Sequence, residues 1–143
     1  MKFATFEDEF TSELDIAELD FGFNSKNEPL RFIIRETGSP EHEKVQRKYS
    51  KALTASRRNR VRYRAVMAKI VGESILIDWK GVLDDEGNEV PCTLENKIEA
   101  LTKYKKLFVE IIDFASDQTN FEVPETELDD EALSPDEDTE KNS

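Results

Sequence analysis

The sequence predicts an α+β fold that is predominantly α-helical: an N-terminal β-hairpin, then a helical bundle, then a disordered acidic tail. Three observations carry that reading. Leu19, Phe21 and Phe23 alternate with Asp20 and Gly22, and a second run rich in β-branched and aromatic residues follows at Leu30–Arg35 (LRFIIR). Ser39 and Thr93 each stand immediately before a stretch whose apolar residues recur at helical spacing. From Glu122 the chain holds ten acids against the single base Lys141, with two prolines and little apolar content.

The elements follow in order. In residues 1–17, Phe3, Phe6 and Phe10 recur at roughly helical spacing, which leaves this acidic segment ambiguous. The alternating run to Phe23 and the LRFIIR run flank Asn24–Pro29 (NSKNEP), a cluster of turn formers, so the two runs read as a hairpin. Two strands alone are marginal in water, so this hairpin must lean on helices or on a partner. Gly38-Ser39-Pro40-Glu41 is a helix start: Ser39 as N-cap, Pro40 at the first helical position, Glu41 and Glu43 at the positive end of the dipole. This helix extends to about Ala55, with Val45, Tyr49, Ala52 and Leu53 on one face. A second helical stretch spans about Arg57 to Val71, and the local pattern leaves open whether Thr54–Arg57 interrupts or continues the helix. Ile75–Trp79 reads as a short apolar run at the end of this arm. The Asp84–Glu89 stretch (DDEGNE) is a tight turn in which Gly87 supplies positive φ. Thr93 caps the next helix, and the pattern continues past Tyr104 to Phe121, with a bend that divides it into a pair.

Composition sets outer bounds. At 143 residues the chain fits one domain. Its 37% hydrophobic and 36% charged content is lean in apolar residues against typical values of about 45–50% and about 25%, so only part of it forms a core. With nine Phe, that core is aromatic-rich. We divide the chain into an acidic segment (1–17), a single domain (18–121) and a disordered acidic tail (122–143). The net charge of −12 disfavours nucleic acid and anionic membranes on average. That charge is unevenly spread. Residues 1–24 hold seven acids and one base, whereas residues 44–69 hold ten bases and no acid. The N-terminus lacks the apolar run of a signal peptide, and no stretch approaches the roughly 20 apolar residues that span a bilayer. The lone Cys92 excludes an internal disulfide and fits a reducing cytosol.

The candidate chemistry is sparse. With Gly87 at the sixth loop position the first calcium ligand would be Val82, so the acidic turn fails the EF-hand pattern. One His and one Cys assemble no zinc set, and His42 in a polar first turn and Cys92 beside a proline make a poor nucleophilic pair. There is no glycine-rich phosphate loop, and the carboxylates sit in runs without an apolar pocket to shift them. The sequence thus points to a non-enzymatic protein with no cofactor and no metal. RRNRVRYR (Arg57–Arg64) could contact phosphate backbones, or pair with the chain's own acidic ends, or meet a protein. We expect Phe32, Ile34, Trp79, Leu101, Phe108, Ile112 and Phe121 in the core, and Arg57, Arg60, Tyr63, Arg64 and Met67 on a partner-binding surface.

One series is more specific. Asp78-Trp79-Lys80-Gly81-Val82 precedes the Asp/Gly turn; Val90-Pro91-Cys92-Thr93 with Glu95-Asn96 follows it; the helix pair closes on Ala115-Ser116-Asp117 and Phe121. Together with the LRFIIR strand and the Ser-Pro helical arm, this order of parts resembles the tail assembly chaperones of long-tailed phages. It covers the middle of the chain and not the acidic ends. Such chaperones often carry proline at the bend between the last helices, where this chain has Tyr104-Lys105-Lys106.

The resemblance implies a mostly helical protein of the host cell cytoplasm, absent from the mature virion. It would hold the tape measure protein soluble and bring tail tube protein to it. Many such chaperones have a longer form made by programmed frameshifting. Here Glu140-Lys141-Asn142 can be encoded with a slippery A AAA AAC, although an ordinary tail accounts for these residues equally well. The alternatives are a small nucleic-acid-binding regulator using the basic helix and a minor structural tail protein.

Overall fold

A computed structural model describes residues 15–122. Expectations for residues 1–14, and for the tail beyond residue 122, lie outside the described residues. The compact unit spans Asp15–Asn120.

The first strand, β1 (Ile16–Phe23), and the second, β2 (Pro29–Arg35), form the expected hairpin, with Leu19 opposite Phe32 and Asp20 opposite Arg31. The turn between them is closed by Asn24, whose side-chain oxygen accepts from the backbone N–H groups of Lys26 and Glu28. A third strand, β3 (Leu76–Lys80), pairs antiparallel with β2 on its other side, with Phe32 opposite Trp79 and Arg31 opposite Lys80. The sheet order is β1-β2-β3.

This overturns the expectation of a predominantly helical protein with only a hairpin ahead of a bundle. About 51% of the described residues are helical and 21% are in strand, so the architecture is mixed α+β. The short apolar run expected at Ile75–Trp79 is the strand Leu76–Lys80, and its partner β2 lies more than 40 residues earlier. A local period cannot register a long-range pairing. The support that the hairpin needed is this third strand, together with the helices packed on it.

Between β2 and β3 lie three helices: α1 (Pro40–Lys48), α2 (Ser50–Ala55) and α3 (Arg60–Ser74). The Ser39 hydroxyl accepts from the His42 N–H at 3.3 Å, and His42 Nδ1 accepts from the Gly38 N–H at 2.9 Å. Two donors at the helix start are thereby satisfied, in a variant of the capping box. The arm breaks twice. Tyr49 separates α1 from α2, and a turn at Ser56–Asn59 separates α2 from α3, with the Asn59 side chain capping α3 through the Arg62 N–H. The second half of α3 is buried nearly all round: Ala68, Ile70, Val71, Gly72 and Ser74.

The last helices are α4 (Leu94–Lys103), capped by Thr93 through the Asn96 N–H, and α5 (Lys105–Ala115). A single extended residue, Tyr104, joins them. The chain then makes a short 3-10 turn, Gln118–Phe121. Helix α3 packs against α4, α1 and β3, and α5 against β2. At Gly72 an added Cβ would lie 3.3 Å from Ile98 Cγ1, so the missing side chain lets α3 and α4 approach closely.

Phe32, Ile34, Trp79, Leu101 and Phe121 are buried, joined by Ile70, Val71, Ile75, Leu76 and Ile111. Phe108 and Ile112 are only half-buried. On α5 the fully covered positions are Ile111 and Ala115, which share one helical stripe with Phe108 and Ile112.

Candidate partner-binding site

Trp79 organises the site. Its ring meets Phe32 edge-on, with centroids 6.3 Å apart and planes at 90°, and Phe21 meets Phe32 in the same manner at 5.2 Å. The indole N–H donates to the Val90 carbonyl at 2.7 Å and so fastens the second half of the 84–89 turn onto the sheet. The turn is closed from within: Asp84 Oδ1 accepts from the N–H groups of Glu86 and Asn88, and Leu83 bridges Glu89. Gly81, at φ 84°, brings the chain against the hairpin, where an added Cβ would lie 2.3 Å from the Pro29 carbonyl oxygen. The Asn24 amide donates to the Gly81 carbonyl at 2.8 Å.

These contacts hold Val82 and Leu83 between the sheet and the α4–α5 joint. On one side lies an open cleft of about 470 Å³, lined by Phe21, Leu30, Phe32, Val82, Leu83 and Leu107. On the other lies a smaller one of about 280 Å³, whose rim includes Asp85, Glu99 and Lys103. Tyr104 belongs to both and is 54% exposed. It is one of several large apolar side chains exposed among the described residues, with Phe23 and Val61 more exposed still, and it alone of these lies between the two clefts.

The second surface is a basic ridge. Arg57, Arg58, Arg60 and Arg62 are exposed, and none has an ion pair among the described residues. Arg57 and Arg58 lie in the turn before α3 and Arg60 and Arg62 in its first turn, where the helix dipole is positive and no acid is present. Among them Val61 is 78% exposed. The expected partner-binding residues divide. Arg57 and Arg60 lie on this ridge and Tyr63 is 37% exposed at its edge. Arg64 instead reaches across the surface to the end of α4, donating to the Thr102 carbonyl at 3.3 Å, and Met67 is half-buried.

The cleft residues Phe21, Leu30, Val82, Leu83, Tyr104 and Leu107 are not among those the sequence marks for a partner-binding surface. The one local signal is Tyr104, an aromatic residue between lysines at the point where the helical pattern bends.

The titratable groups elsewhere are engaged locally. Burial lowers the pKa of His42, with Glu43 opposing, so its imidazole is neutral and its Nδ1 free to accept from Gly38. Burial pushes the Cys92 thiol up to about 11, leaving almost no thiolate at neutral pH. Glu73 accepts from the Tyr49 hydroxyl and, at 2.9 Å, from Lys48 Nζ, tying the end of α1 to α3. Burial raises the Glu73 pKa, but these two hydrogen bonds and the Lys48 charge outweigh burial and hold it below the usual carboxylate value. A shallow polar concavity of about 660 Å³ lies beside the C-terminal end of α5, lined by Glu36, Thr37, Asp113 and Asp117. Thr119 donates to the Asp117 carboxylate. Among the described residues no group of three His, Cys, Asp or Glu side chains could hold a metal ion, and no helix is long and apolar enough to cross a membrane.

The geometry is that of a small mixed α+β protein whose notable features are surfaces: an apolar cleft and a basic ridge. A family model described as YdaY prophage protein matches residues 39–132, and the chain belongs to that family, which makes it a phage-derived protein. The matched span contains the ridge, β3, the turn and Tyr104, while β1 and β2 precede it. No curated protein and no solved structure matches the chain.

Proposed function

We propose that this phage-derived protein is a tail assembly chaperone that acts by binding and not by catalysis. It keeps the tape measure protein soluble and brings tail tube subunits to it in the host cytoplasm, and it is left out of the finished virion. The observation that carries this reading is the open apolar cleft around Tyr104. A tape measure protein is a long helical chain with apolar stripes, prone to aggregate. A helix of that kind is recognised when successive apolar side chains on one face drop into adjacent hollows. Two hollows separated by Val82, Leu83 and Tyr104 suit such a pair of anchors. The order of motifs around Trp79 and the membership of a phage family support the same reading.

The test is co-expression with the tape measure protein encoded nearby, followed by solubility and pull-down. The tape measure protein should become soluble and co-purify. Tyr104→Asp and Leu83→Asp, which place a charge in the cleft, should each reduce capture by about tenfold or more while the fold is kept. If the tape measure protein stays insoluble and nothing binds, the reading is wrong. Finding the chain in purified virions would favour a structural tail protein instead. The exposed guanidinium groups of Arg57, Arg58, Arg60 and Arg62 support a second reading, a nucleic-acid-binding regulator, which a gel shift at low salt would reveal.

A further inference from the structure

The ridge and the cleft lie close together. The Arg64–Thr102 hydrogen bond sets the start of α3 beside the end of α4, one residue pair from Tyr104, and α3 and α4 are packed along their lengths. One region of the surface is therefore basic with an exposed aliphatic group, Val61. The neighbouring region is a hollow floored by Val82, Leu83 and Tyr104 whose charged lining is acidic on balance, Asp84, Asp85 and Glu99 against Lys103. Among the described residues neither Asp85 nor Glu99 has an ion pair, and neither have Arg58 and Arg62. The ridge is basic and the hollow is acidic on balance, so the two are complementary in net charge. A surface with complementary halves side by side can meet its own copy across a two-fold axis, so that residue i touches residue j and j touches i.

We propose that the protein forms a symmetric dimer in which the α3 ridge of each copy, Arg58, Val61 and Arg62, seats on the acid-rimmed hollow of the other, at Asp85, Glu99 and Tyr104. Opposed charge sets the register, and burial of Val61 against Val82, Leu83 and Tyr104 adds apolar contact. The cleft is the one assigned above to the client, so dimer and client compete for it. The dimer keeps the apolar hollow covered until a client displaces the second copy.

The experiment uses the full chain alone, so its failure is separate from failure of the chaperone reading. Sedimentation equilibrium at 50 mM and 500 mM NaCl measures the dimer, with circular dichroism to verify folding of every variant. The wild type should dimerise at low salt and dissociate as salt rises. Arg58→Glu with Arg62→Glu, and separately Asp85→Lys with Glu99→Lys, should each weaken the dimer about tenfold or more. Mixing the two variants should restore it, because in the mixed pair both contacts again join opposite charges. The four substitutions in one chain should restore it as well. A chain that stays monomeric at about 100 µM in low salt overturns the proposal, since a functional dimer needs tighter association than that. A dimer indifferent to either variant, or one that mixing does not rescue, overturns it equally.

Discussion

Trp79 is where a single side chain supports the most structure. It closes the sheet against Phe32 and fixes the turn through Val90. Trp79→Ala should cost about 3–5 kcal/mol in chemical denaturation, the range for removing a large buried aromatic. Trp79→Phe keeps a ring but leaves the Val90 carbonyl without its donor, and should cost about 1–3 kcal/mol. Unchanged stability in either variant would contradict this placement. His42 gives the residue scale its pH dependence. It is the chain's one histidine, and burial depresses its folded pKa below 6.5. The unfolded state therefore binds the proton more readily. The His42 contribution is complete above pH 6.5 and is lost as pH falls through the folded value. Melting temperature should drop between pH 8 and pH 5.5, and His42→Gln, which keeps an acceptor for Gly38, should flatten that drop. At this scale the sequence was legible wherever chemistry is local. Ser39, Pro40 and Thr93 are readable as caps because a cap acts within three residues. Asn59 caps α3 in the same manner, yet the arginines around it read as one continuous basic helix and hid it.

At the scale of elements, β3 and the joint at Tyr104 decide the architecture. The hairpin was visible because its two strands are neighbours in sequence. The third strand was not, because Leu76–Lys80 pairs across the whole helical arm. The cleft was hidden for the same reason, since β1, β2, the turn and the α4–α5 joint each contribute part of its wall. Gly81 is the position where these parts touch. Gly81→Ala must place a Cβ against the Pro29 carbonyl at a φ that side chains avoid, and should cost about 2 kcal/mol or more. It should also open the cleft, which amide exchange at Val82–Val90 would report as lost protection. Glu73 links α1 to α3 through Lys48 and Tyr49. Its pKa is depressed, so its contribution is complete above the ordinary carboxylate value and is lost as pH falls through the folded one. Glu73→Gln should lower stability at neutral pH and reduce the loss on acidification below pH 5, as followed by thermal melts.

The whole molecule is strongly polarised. Ten bases without an acid occupy residues 44–69 of a chain whose net charge is −12. Like charges crowded in one region oppose compaction, as does the net charge overall. At about 1 µM protein, where association is negligible, melting temperature should rise between 20 mM and 300 mM NaCl as these repulsions are screened. A fall would mean that ion pairs contribute more than repulsion costs. Of the candidate site, the basic run Arg57–Arg64 was conspicuous in the sequence. Which of its residues face outward was not legible: Arg64 lies one turn beyond Arg60 on nearly the same face, and Met67 almost a turn further, where α3 packs against α4.

The antiparallel pairing of β2 with β3 also sets a timetable for synthesis. Phe32 and Ile34 cannot be covered by Leu76 and Trp79 until roughly 40 further residues have been made. At about 5–20 residues per second, that is an interval of about 2–8 s. During that interval the nascent hairpin presents an apolar face with nothing to close it. The sheet therefore closes only after the segment ending at Lys80 has emerged, and the core is complete only once Leu101, Ile111 and Phe121 have followed.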